Sequence, residues 1–100
     1  MFARLTIVQV QTSKMDETIK VFEESIIPAA KSQKGFREAY LLTDRRAGKC
    51  IGISLWDSEA DAVGSERNGY YREQVDKIVP FFTIAATAPI REGYEVSVQA

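Results

Sequence analysis

Histidine is absent from this 100-residue chain, and cysteine occurs once, as Cys50. Zinc sites in their usual forms and Cys–His nucleophile pairs are thereby excluded, and no metal site is expected. A single thiol forms no intrachain disulfide. On an apolar strand it reads as a small core residue in a reducing, cytoplasmic setting. An excess of one charge is missing too: 13 basic residues against 14 acidic ones leave a net charge of −1. That balance carries no electrostatic footprint for nucleic acid or for an anionic membrane. The adjacent Arg45 and Arg46 read as a solvated turn. No apolar run approaches the ~20 residues that span a bilayer. The opening MFARLTIVQV lacks the basic and long apolar regions of a secretory signal, so a soluble cytoplasmic protein is expected. There is no G-x-G-x-x-G and no P-loop, hence no phosphate cradle.

What is present is a foldable composition, 45% hydrophobic with three prolines, and a length that suits a single domain over residues 1–100. Residues 35–58 organise the rest: two strands, 36–44 and 49–56, joined by the polar turn Asp44-Arg45-Arg46-Ala47-Gly48. On the first, Phe36, Tyr40 and Leu42 share a face with Glu38, while Ala39 and Leu41 share the other with Arg37. On the second, Ile51, Ile53 and Leu55 oppose Cys50, Gly52, Ser54 and Trp56. An opening strand over 2–10 sets Phe2, Thr6, Val8 and Val10 against Ala3, Leu5 and Ile7, apolar on both faces.

Thr12 and Ser13 offer N-caps to a first helix, with Asp16 in capping-box position. Its stripe is Met15, Ile19, Phe22, Ile26 and Ala29/Ala30. Pro28 predicts a kink, crowding the carbonyl of Glu24, with the helix resuming to about Lys34 and Gly35 closing it. Ser58 and Asp61 cap a helix over 59–67, Asn68-Gly69 stops it, and a further helix over 70–79 carries the stripe Tyr71, Val75, Ile78, Val79 and Phe82. Residues 81–88 are apolar without a period and stay open between strand, helix and packed loop. After Pro89, Tyr94, Val96 and Val98 alternate with Glu95, Ser97 and Gln99 as a last strand.

The order is βαββαβ, an α+β ferredoxin-like pattern with a four-stranded antiparallel sheet and helices on one face. Two strands apolar on both faces would leave an open hydrophobic surface on a monomer, so a homodimer through the sheet faces is expected. A helix carrying Ile27-Pro28, then Gly35-Phe36, Tyr40-Leu41-Leu42 and Ile53-Ser54-Leu55-Trp56-Asp57-Ser58-Glu59, resembles the antibiotic biosynthesis monooxygenase-like (ABM) family. The resemblance spans nearly the whole chain and implies a dimeric α+β barrel. It also implies one of several activities: cofactor-free oxygenation of phenols and quinols, haem degradation, or none yet known. Haem-degrading members share a first-strand Asn, a Trp and a ligating His. Register puts Thr6, Ser65 and Val75 at those positions, so haem degradation is not expected and no cofactor is called for.

The sharpest enzymatic reading is a cofactor-independent monooxygenase acting on a small aromatic phenol or quinol. A deprotonated phenol passes an electron to oxygen unaided, and needs from the protein a dry aromatic pocket and stabilisation of its charge. Trp56, Tyr40, Tyr70, Tyr71 and Phe82 are the candidate walls, and Arg37 or Arg67 the candidate anion partner at the mouth. Trp56 and Tyr71 read first as core. Tyr70, beside Asn68-Gly69, is the better functional candidate. No residue is assigned a catalytic role. The alternative is a non-catalytic dimeric module that binds a small apolar ligand or serves structure.

Overall fold

A computed structural model describes residues 1–84 and 88–100. Strand β1 (Phe2–Gln9) lies inside the sheet, antiparallel to β3 (Lys49–Trp56) on one side and β4 (Ile90–Glu95) on the other. Strand β2 (Phe36–Asp44) pairs with β3, giving the order β2-β3-β1-β4. With its helices this is the expected α+β ferredoxin-like arrangement. The inner position of β1 pairs both of its edges. The hairpin turn forms because the Asp44 carboxylate accepts from the backbone N–H groups of Arg46 and Ala47, at 3.1 and 3.2 Å.

One residue of β2 overturns the expected faces. Phe36 pairs with Trp56, but the next pair is Glu38 with Leu55, so Arg37 is an extra residue in a β-bulge. The bulge carries Phe36 to the inner face with Ala39 and Leu41, instead of with Tyr40 and Leu42. There its ring meets Trp56 edge-on, with centroids 5.7 Å apart.

The first helical arm also departs from expectation. Neither Thr12 nor Ser13 caps it. A 3-10 turn over Thr12–Lys14 leads into α1 (Met15–Val21), and Gln11 at its start donates its N–H to Phe81. A π-helical segment, Phe22–Ile26, follows, with the N–H of Ile27 bonded to the carbonyl of Phe22. Pro28 has no N–H to give, and the wider turn absorbs the skipped bond in place of a sharp kink. Helix α2 (Ile27–Ala30) then ends four residues before Lys34, where Ser32 Oγ donates to the carbonyl of Ala29. Gly35 takes φ +79, and a Cβ there would meet Asp61 at 2.2 Å, so both space and conformation demand glycine.

The second arm begins as read: Ser58 Oγ accepts from the N–H of Asp61 at the start of α3 (Glu59–Arg67). Gly69, at φ +88, turns the chain into α4 (Tyr70–Asp76). This helix stops three residues short of Val79, because the chain tightens into a 3-10 turn, Val79–Phe81, around Pro80. Val79 is therefore exposed, while Gln74 is buried. Phe82 makes an isolated bridge to Val10. Of the undecided stretch 81–88, residues 85–87 lie outside the described residues. Strand β4 ends at Glu95, since its partner β1 begins at Phe2; Tyr94 is half-exposed and Val98 exposed. Both arms cover one face of the sheet, and Val8, Val10, Met15, Ile26, Cys50 and Ile78 form the core between them. No helix among the described residues is long and apolar enough to cross a membrane.

Candidate functional site

Between the inner sheet face and the two arms lies a cavity of about 90 Å³. Its walls are mostly apolar: Phe22, Ile26, Phe36, Leu41 and Val75 among others, contributed by the π segment, β2 and α4. Cys50 also lines it; burial pushes the thiol above its ordinary pKa, and Sγ lies 3.6 Å from Met15 Sδ. One end is polar. Thr6 Oγ1 and Tyr71 Oη share a hydrogen bond of 2.8 Å, and Arg4 stands beside them.

Arg4 is 4% exposed, an unusual place for a guanidinium. Its Nη1 donates to the carbonyl of Ala62 at 3.1 Å, to Ser65 Oγ at 2.7 Å and to Glu66 Oε2 at 3.2 Å. The group lies 5.0 Å from the Trp56 ring and 4.4 Å from the Tyr71 ring, a cation between two π faces. Burial lowers its pKa to about 10, opposed by Tyr71 and Tyr70 and reinforced by Arg91, so it is charged at neutral pH. Glu66 also pairs with Arg91. Arg4 lies on the same β1 face as Thr6 and Val8. The signal for it was a lone charge on an apolar strand, which the sequence reading passed over.

Two of the seven sequence candidates, Tyr70 and Tyr71, line this cavity. Burial raises the Tyr70 pKa, against the pull of Arg4. Trp56 is fully buried behind the wall, its Nε1 donating to Ser54 Oγ at 2.9 Å. Phe82 packs against the core cluster. Tyr40 is on the far face of the sheet, half-exposed, its hydroxyl bonded to Glu38 at 2.8 Å. Arg37 sits on the outside at the bulge, paired with Asp57 at 3.2 Å, and Arg67 is exposed at the last residue of α3. Neither arginine lines the cavity; Arg4 does. Thr6 and Val75, at two of the positions the haem-degrading pattern reserves, line the cavity, and Ser65 anchors Arg4. No cluster of His, Cys, Asp and Glu among the described residues is arranged to hold a metal ion.

A βαββαβ sheet with helices on one face and a cavity between the layers is a ferredoxin-like α+β fold. The solved structures agree. A proposed antibiotic biosynthesis monooxygenase from Nitrosomonas europaea superposes with a TM-score of 0.74 and 11% identity, over 98% of this chain and 100% of that one. The heme-degrader MhuD of Mycobacterium tuberculosis, with two hemes bound in its active site, gives 0.72 and 17%, over 100% and 99%. At such identities the likeness is one of fold. No family model matches the chain. The uncharacterized protein Rv2557 of Mycobacterium tuberculosis is 33% identical over 66 residues, which are 66% of this chain and 29% of that protein. The chain thus matches less than a third of the length of this curated relative.

Proposed function

We propose that the chain is a cofactor-independent monooxygenase of a small phenol or quinol, bound in the cavity between sheet and helices. The observation that carries this reading is the polar end, Arg4 with the Thr6–Tyr71 hydroxyl pair, on an otherwise apolar wall. In a water-poor site a fixed cation favours the ionised form of a ligand, and a hydroxyl can donate to its oxygen. The phenolate passes an electron to dioxygen, and the two radicals join at a ring carbon. Loss of water then leaves a quinone carbonyl. One oxygen atom stays on the ring; the other departs with the ring C–H hydrogen and the phenolic hydrogen.

At about 90 Å³ the space is below the ~300–1,000 Å³ of most small-molecule and cofactor pockets, so a ligand of one ring at most is expected. The residues do not fit a haem: the chain has no His, and Val75 stands where the resemblance would put the ligating one. The half-exposed Tyr40, Leu42, Ile90 and Tyr94 on the far face of the sheet support self-association there. A second reading, a dimeric module that binds a small ligand without chemistry, is favoured by one fact: Arg4 is already held by three protein acceptors.

Oxygen uptake with a panel of single-ring and fused-ring phenols and quinols, with no metal or cofactor added, separates the two. Uptake above the buffer rate is expected for single-ring compounds, falling at least roughly tenfold in Tyr71→Phe. No uptake with any compound, from folded protein, overturns the enzymatic reading.

A further inference from the structure

Arg4 engages the protein with only one side of its guanidinium. Among the described residues its hydrogen bonds all leave from Nη1, to Ala62, Ser65 and Glu66. Nε and Nη2 have no such partner. Yet no fully buried side-chain nitrogen or oxygen among the described residues lacks one, so these two donors are not sealed in protein. Arg4 lines the cavity.

Nε–H and Nη2–H form a planar fork of two nearly parallel donors, which matches the two oxygens of a carboxylate. The fork is held in place before any ligand arrives, by Nη1 behind it and by the rings of Trp56 and Tyr71 at 5.0 and 4.4 Å. The local charge agrees. Glu66 serves both Arg4, at 3.2 Å, and Arg91, so two cations share one carboxylate and one positive charge is left over. The remaining walls accept a flat apolar body: Phe22, Leu41 and Val75 lie around the same space.

We infer that the cavity takes a small arene bearing a carboxylate, docked side-on against the free edge of Arg4. This rests on the reading of the cavity as a ligand site and narrows its substrate class. With its carboxylate on Arg4, the ring brings an adjacent phenolic oxygen to the Thr6–Tyr71 hydroxyl pair at the same end of the cavity. Arg4 is then a binding residue that orients the ring.

The test is calorimetric titration of the whole chain with benzoate, benzamide and benzamidine, three flat molecules of one shape and of charge −1, 0 and +1. Benzoate is expected to bind at least about tenfold more tightly than benzamide, because charge-assisted paired bonds are the stronger kind. Benzamidine is expected not to bind. In Arg4→Gln the advantage of benzoate over benzamide disappears, and in Arg4→Lys, which keeps the charge and loses the fork, it shrinks several-fold. The wild-type ranking decides even if a variant fails to fold. Equal binding of benzoate and benzamide overturns the carboxylate and leaves the cavity as an apolar ligand site. No binding by any of the three overturns both. A benzoate advantage that persists in folded Arg4→Gln overturns the role of Arg4.

Discussion

At the scale of single residues, the cavity brings together groups whose protonation is set by burial. Cys50 and Tyr70 are both held above their ordinary values, 9.0 and 10.0. The unfolded chain therefore loses these protons before the folded one does. The stabilisation is intact below pH 9 and is lost as the pH climbs towards the raised folded values. Arg4 acts in the opposite sense, but only above about 10, where its lowered pKa lies. Between pH 8 and 10 the urea midpoint is expected to fall, and Cys50→Ala to flatten the early part of that fall. A midpoint that climbs over this interval contradicts the assignment. Tyr70 and Tyr71 were legible as aromatic neighbours of a helix start. Arg4 was harder to find, because one charge in an apolar strand does not say that Ser65, Glu66 and two rings, about sixty residues on, will gather around it.

At the scale of elements, what could be read depended on how local the signal was. The ranges of β2, β3 and α3 follow from neighbours in sequence: an Asp44 turn, a Ser58 cap, a run of β-branched residues. Where the deciding partner is remote, the reading failed. Thr12 and Ser13 lost their capping role because Gln11 is tied to Phe81, and the π segment resolves a conflict between Pro28 and the buried stripe. The bulge at Arg37 is the sharpest case, since period-two alternation contains no sign of an extra residue. Phe36→Ala removes the ring that the bulge brings against Trp56. The loss of that buried contact is expected to cost about 2 kcal/mol or more, read as a lowered thermal midpoint with weakened near-ultraviolet dichroism. An unchanged midpoint would show that the bulge does no packing work.

At the scale of the whole molecule, the helices cover one face of the sheet only. Leu42 and Tyr40 on the far face pair with Ile51 and Ile53 of β3, so the exposed apolar area is continuous across strands. The sequence carried this in its two-sided strands, and it motivates the dimer. Sedimentation at micromolar concentration is expected to give twice the chain mass for the wild type. Leu42→Glu is expected to give the monomer mass without loss of helical dichroism, since the substitution sits away from the core. A wild-type monomer would remove the dimer and leave the cavity reading untouched.

Trp56 is the only tryptophan of the chain and is fully shielded from solvent. Its indole lies 5.0 Å from the Arg4 guanidinium and is tethered to Ser54, a cavity residue. The protein thereby carries its own optical gauge: a blue-shifted band is expected from its single indole, with colour and brightness that answer to the charge next to it. An anion that neutralises that charge will shift the band, and a neutral guest will leave it nearly where it was, so occupancy and charge can be read separately without a label.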